Sequence, residues 1–285
     1  MNKAPSPDPA IDRAAAAALM ESLTDLVVRA GDAILAVNRL AMRIDGKLDG
    51  SPVTEADLAA DRIIAEGLVR LAPGIPALSE ERVHLAEPPY RGSFFLIDPL
   101  DGTKEFVAGR GEFTVNLALV VNGTPLLGII GAPALGLIWR GLVGRGAERL
   151  AVGDSRGDSR GDSRLGTAEP IHTRRIPPRG EPWIAAVSRS HGDSRTEAFI
   201  DERPGAVRQK LGSAVKFGRV AEGGADIYPR LAPTCEWDIA AGHAVVTAAG
   251  GRITDSAGAA LEFGKGRKDF IVPEFIAWGD PAAAC

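Results

Sequence analysis

The segment Ile97-Asp98-Pro99-Leu100-Asp101-Gly102-Thr103 places two carboxylates three positions apart directly after the apolar run Phe94-Phe95-Leu96. Behind a buried strand, Pro99 forces the backbone to bend, so Asp98, Asp101 and the carbonyl of Leu100 can converge on one divalent cation. Gly102 lets main-chain N–H groups approach an anion closely, and Thr103 adds a hydroxyl beside them. Hard oxygen ligands next to amide donors make a site for magnesium-assisted phosphate chemistry. Asp, Pro and Gly are also the ordinary residues of turns, so this segment needs acidic companions elsewhere in the chain.

Three such companions are present. Ser79-Glu80-Glu81 follows the short apolar run Ile75 to Leu78, where Glu80 would stand at the end of a strand. Thr54 is a natural helix N-cap, which places Asp57 in the first turn of the helix it opens. Trp237-Asp238-Ile239-Ala240-Ala241-Gly242 opens another helix, with Asp238 in its first turn. Each carboxylate alone could be a solvated loop charge or a partner of the helix dipole. Were Asp57, Glu80, Asp98, Asp101 and Asp238 to meet, like charges about 4 Å apart would repel by roughly 4 kcal/mol per pair at an effective dielectric of ~20. Such a cluster must protonate or bind cations, and two or three magnesium ions would neutralise it. One ion would be held by Glu80, Asp98 and the Leu100 carbonyl, and a second by Asp98, Asp101 and Asp238. Thr103, oriented by Asp57 or Glu80, would position a water for in-line attack.

The elements that position these groups follow from apolar periodicity. Residues 10 to 43 carry Leu19, Leu23, Leu26, Val27, Ala30, Ile34 and Val37 at helical spacing, and a second helix is predicted from Glu55 to Leu71. Strands are predicted at Pro76 to Ser79, Ser93 to Asp98, Thr114 to Val121, Leu126 to Ala132 and Leu137 to Leu142, with Asn122-Gly123 as a hairpin turn. From Gly153 to Arg164 the chain repeats Gly-Asp-Ser-Arg without an apolar residue, the composition of a flexible loop. Its Arg-Gly-Asp triplets are a by-product of the repeat. Beyond it, a strand at Trp183 to Ser188, a helix near Arg195 to Glu202, a short apolar element around Leu211 to Phe217 and an apolar helix from Asp238 to Ala249 are predicted. This suggests an N-terminal sub-domain (1–152) carrying most metal ligands, the loop (153–166), and a C-terminal α/β sub-domain (167–285) carrying Asp238.

Bulk properties narrow the function class. The chain has 285 residues, 45% of them hydrophobic, ample for a large core. With 33 basic against 37 acidic residues it has no electrostatic footprint for a nucleic-acid polymer, so the expected partner is a small anion. Cys235 and Cys285 are too few for a disulfide framework. No signal peptide is read at the N-terminus, and the apolar region Leu126 to Trp139 is broken by Gly128, Gly131, Pro133 and Gly136. A cytoplasmic enzyme, loosely peripheral on the inner membrane at most and either monomer or homodimer, is the expectation.

The strings Pro52-Val53-Thr54 with Asp57, Ser79-Glu80-Glu81, Asp98 to Thr103 and Trp237 to Gly242 resemble, in order and spacing, those of the inositol monophosphatase superfamily. The resemblance covers roughly residues 15 to 275. It implies a layered αβαβα sandwich and a magnesium-dependent, commonly lithium-sensitive phosphatase. Asp101-Gly102-Thr103-Lys104-Glu105-Phe106 followed by Gly111-Glu112-Phe113-Thr114-Val115-Asn116 is most similar to the 3'(2'),5'-bisphosphate nucleotidases of that superfamily. Those enzymes remove the 3'-phosphate of adenosine 3',5'-bisphosphate, a by-product of sulfate assimilation. The resemblance further implies that Ser213, Lys216 and Arg230 approach the 5'-phosphate, that His191 and Tyr228 lie near sugar or base, and that Asp101, Gly102, Thr103 and Asp238 contact substrate. Glu105 is read as too remote to ligate a metal directly. The alternative on the same fold is an inositol-1-phosphate or sugar-phosphate phosphatase; a catalytically silent sensor is disfavoured because no expected ligand is missing.

Overall fold

The computed structural model describes residues 11–39, 41–42, 44–46, 52–86, 90–153, 164–190, 192–203, 205–266 and 270–284. The interior of the Gly-Asp-Ser-Arg repeat and His191 lie outside the described residues.

Helix α1 (Arg13–Ala36) starts where the Asp12 side chain accepts the Ala15 N–H at 2.8 Å. It is shorter than the periodicity predicts, because the chain turns extended at Val37 although Val37 still packs on the core. Strands β1 (Ile44–Gly46) and β2 (Pro52–Thr54) pair antiparallel and lead into α2 (Glu55–Leu71), whose bounds match the prediction. Thr54 caps α2, and Asp57 returns the bond by accepting the Thr54 N–H at 2.8 Å, a reciprocal capping box.

The first sheet runs in sequence order: β3 (Ala77–Ser79), β4 (Ser93–Asp101), β5 (Thr114–Val121), β6 (Thr124–Ala132), β7 (Leu137–Leu142), β8 (Gly146–Ala151) and β9 (Glu169–Ile171). Only β3–β4 is parallel; the remaining pairings are antiparallel. The β5–β6 turn carries Asn122 and Gly123 at φ 50° and 79°, as a tight hairpin requires. Helix α3 (Thr103–Val107) follows β4 directly.

The second half supplies β10 (Ile184–Ser188), α4 (Ser194–Asp201), β11 (Val207–Leu211), α5 (Val215–Ala221), β12 (Ile227–Arg230), β13 (Thr234–Cys235), α6 (Glu236–Ala248), β14 (Arg252–Thr254), β15 (Ile271–Val272) and β16 (Phe275–Trp278). Its main sheet has the order β11-β10-β12-β16-β14, while β13 and β15 form a separate pair. The change from one large sheet to the other falls between β9 and β10, beyond the predicted 153–166 separator, because β9 still pairs with β8 of the first sheet.

Burial divides the molecule into the layers of an αβαβα sandwich. One apolar cluster joins α1 and α2 to one face of the first sheet through Leu23, Ile34, Ile64, Phe95 and Ile129. A second fills the middle, with Phe94, Ala118, Phe217, Ile239, Val245 and Ala277 drawn from both sheets and from α5 and α6. A third seats α4 on the outer face of the second sheet through Ile200, Ile227 and Trp278. Helix α6 is apolar nearly all round because it is sandwiched between sheets. It lies so close to β6 that a Cβ on Gly128 would stand 2.2 Å from the Ala241 carbonyl oxygen. This packing fixes the end of α6 that carries Asp238.

Candidate active site

The bend predicted after Asp98 is a bulge within β4. Asp98 faces Asn116 and Asp101 faces Thr114, so the register slips between them, where Pro99 needs no ladder donor. The Leu100 N–H donates to Asp98 Oδ1 at 3.1 Å. Gly102 then takes φ +93°, and a Cβ there would stand 2.1 Å from Ser213 Oγ. Only glycine lets the two halves of the chain meet at this point.

A cavity of about 240 Å³ opens at the bulge, lined by Glu80, Asp98, Leu100, Asp101, Gly102 and Thr103 together with Ser213, Lys216, Tyr228, Arg230 and Asp238. Asp57 stands behind this wall, buried, with its Oδ1 3.0 Å from Thr103 Oγ1. One carboxylate thus caps α2 through Oδ2 and orients the Thr103 hydroxyl through Oδ1, so both readings of Asp57 hold together. Thr103 Oγ1 also lies 3.3 Å from the Leu100 carbonyl.

The remaining carboxylates are held from behind. Asp101 Oδ2 accepts from Thr114 Oγ1 at 3.4 Å and from Asn116 Nδ2 at 3.3 Å. Asp238 Oδ2 accepts from the Thr234 hydroxyl and, at 3.1 Å, from the Cys235 N–H. Among the described residues no three His, Cys, Asp or Glu side chains already form a closed cage, so the predicted meeting of five carboxylates takes the looser form of four on one cavity and one behind Thr103. The donor set is nonetheless hard oxygen throughout. Loss of hydration and the neighbouring Asp238 charge push the Asp101 carboxyl up to about 6. That is the excess negative charge a magnesium ion would relieve, and the residues present fit one.

The opposite wall is cationic. Ser213 has φ 48°, uncommon for a side chain other than glycine, and donates its Oγ to the Asp101 carbonyl at 2.8 Å. The buried Lys216 donates to the Ser213 carbonyl at 2.6 Å and lies 5.1 Å from the centre of the Tyr228 ring. Burial brings its ammonium down to about 8 against the opposing pull of Asp101. Arg230 donates Nη2 to the Pro233 carbonyl at 3.1 Å and interacts with the Tyr228 hydroxyl, while its buried Nε meets no close acceptor among the described residues. Tyr228 is packed edge-on against Phe217 and Phe275, so it serves the core as well as the cavity wall.

Glu105, read from the sequence as too remote to ligate a metal directly, is buried and lines the same cavity. The rise of a helix is only about 1.5 Å per residue, and α3 begins at Thr103, so Glu105 is carried back beside the bulge. Ser188 and Thr234, also on the cavity, gave no signal in the sequence beyond their place at strand ends.

A five-layer sandwich with acidic groups and cations facing each other across one cavity defines a class of anion-handling α/β proteins. The chain belongs to the inositol monophosphatase family, whose model matches residues 13–281. It is 37% identical over 265 residues to the 3'(2'),5'-bisphosphate nucleotidase CysQ of Shigella flexneri, covering 90% of this chain and 98% of that protein. The CysQ nucleotidase of Salmonella typhimurium is 38% identical over the same shares. The crystal structure of CysQ from Bacteroides thetaiotaomicron matches with a TM-score of 0.69 at 31% identity, over 92% of this chain and 97% of that one. The suppressor protein SuhB from Bartonella henselae, 24% identical with a TM-score of 0.72, shares the fold.

Proposed function

We propose that this chain is a magnesium-dependent phosphatase that hydrolyses the 3'-phosphate of adenosine 3',5'-bisphosphate to give AMP and phosphate, in support of sulfate assimilation. The observation that carries this reading is the pairing, in one cavity, of the Asp98–Asp101–Asp238 carboxylates with Lys216 and Arg230. An inositol monophosphate has one phosphate to bind; a bisphosphate needs a cation for the second, and Lys216 and Arg230 on the cavity wall supply candidates.

In this reading Glu80, Asp98, Asp101, Asp238 and the Leu100 carbonyl hold two or three magnesium ions, which when bound polarise the phosphate ester and acidify a coordinated water. Asp57 fixes the rotamer of Thr103 so that its hydroxyl oxygen faces the cavity and accepts a hydrogen bond from the attacking water. Gly102 leaves room for the ester against the backbone, and the N-terminus of α3 presents its first N–H groups to the phosphate. Ser213 in the turn before α5, Lys216 on α5 and Arg230 on β12 receive the 5'-phosphate. No covalent phosphoenzyme is required.

The test is phosphate release from adenosine 3',5'-bisphosphate, inositol 1-phosphate and fructose 1,6-bisphosphate, with and without magnesium and with added lithium. The proposal expects magnesium-dependent, lithium-sensitive turnover with the adenosine bisphosphate preferred. A clear preference for inositol 1-phosphate contradicts it.

A further inference from the structure

Glu105 also lines the cavity, where its charge is one of those that steady the Lys216 ammonium. One oxygen, Oε1, accepts a hydrogen bond from the Ser190 hydroxyl at the exit of β10. The other, Oε2, takes no hydrogen bond from a described residue and lies 3.4 Å from the point a Cβ on Gly102 would occupy. The segment is anchored a second time nearby: Glu112 accepts both Arg189 Nε at 3.0 Å and the Gly212 N–H at 2.9 Å. Glu105 is therefore a cavity-lining carboxylate with one oxygen committed to Ser190 and a second beside Gly102 that no described residue hydrogen-bonds.

A carboxylate accepts hydrogen bonds and repels phosphate, so of the groups a nucleoside bisphosphate carries beside its ester, the one that matches Oε2 is a hydroxyl. Because Oε2 stands beside Gly102, where the scissile ester would lie, that hydroxyl must be a close neighbour of the ester. In a 3'-phosphorylated ribose the adjacent donor is the 2'-hydroxyl. Resting on the nucleotidase reading above, we propose that Glu105 is a specificity-determining residue that accepts a hydrogen bond from the ribose hydroxyl vicinal to the phosphate removed, and so selects ribonucleotide over deoxyribonucleotide bisphosphates. Ser190 holds Glu105 in place and does not touch the substrate.

The experiment measures kcat/KM of the full chain, with magnesium, for adenosine 3',5'-bisphosphate and for 2'-deoxyadenosine 3',5'-bisphosphate. The unaltered protein should prefer the ribose form by about tenfold to a hundredfold, the range for a hydrogen bond to a charged group. Glu105→Ala should bring the ratio close to one by lowering turnover of the ribose substrate alone. Glu105→Gln, which keeps the shape and an accepting oxygen, should retain part of the preference, and Ser190→Ala should retain most of it. A ratio near one in the unaltered protein, or an unchanged ratio in both Glu105 variants, overturns the assignment while leaving the nucleotidase reading intact. Failure to hydrolyse either bisphosphate, with inositol 1-phosphate turned over, overturns both.

Discussion

At the acidic end of the cavity, Asp98, Leu100, Asp101 and Thr103 come from one short stretch in which a strand bulges and a helix starts. At the cationic end, Ser213 and Lys216 precede and open α5, while Tyr228 and Arg230 belong to β12 of a different sheet. The acidic end is thus set by local backbone chemistry, a proline at a bulge and a glycine at positive φ. The cationic end is set by packing: Lys216 keeps its place because burial against Tyr228 and the Ser213 carbonyl leaves it nowhere else to go. The two ends also differ in electrostatic cost. Asp101 is pushed toward its protonated form and Lys216 toward its neutral form, each by loss of hydration, so both ends favour bound counter-ions.

If the ends do separate work, damage to each should leave a different signature. Asp98→Asn keeps the shape of the bulge but removes a charge shared by both proposed ion sites. It should lower kcat by about a thousandfold or more for every phosphate ester tried, in line with the loss of a group central to transition-state charge stabilisation. Full activity in this variant would refute the metal assignment. At the cationic end the signature is in pH. Lys216 is charged below about 8 and neutral above it, so KM for the bisphosphate should rise by several-fold as pH climbs through that value. Adenosine 3'-monophosphate, with no second phosphate, should show no such rise, and Lys216→Met should flatten the profile. Between the ends, α6 is the shared support. Gly128→Ala would drive a methyl into the rigid Ala241 carbonyl and should destabilise the fold by about 1–3 kcal/mol, read as a lowered thermal midpoint.

The same contrast explains what could be read from the sequence. Helix α2 with its Thr54 cap, the strands β4 to β7 and the Asn122-Gly123 turn were legible because each is fixed by neighbours a few residues away. Strand β8, with Glu148 paired to Arg140, and the short β9, with Pro170 at the sheet edge, lack the apolar alternation that marks a strand, and their place follows from pairing with β7. The C-terminal strands β14 to β16 went unread because their partners are distant in sequence or, for β14, still further along the chain. That Glu105 lines the cavity was not legible, because it is the turn of α3 that carries it there. Fold class and the family strings fared better because a layered core tolerates error in any one element.

Among the described residues no helix is long and apolar enough to cross a membrane. Glu80, Asp98, Asp101 and Asp238 share one cavity with Lys216 and Arg230. The most direct test of that opposition compares kcat/KM for adenosine 3',5'-bisphosphate and adenosine 3'-monophosphate in the unaltered protein and in Arg230→Ala. The account predicts that the unaltered protein favours the bisphosphate and that the variant loses about tenfold to a hundredfold on the bisphosphate alone, so the preference collapses. An equal loss on both substrates, or no loss on either, would contradict it.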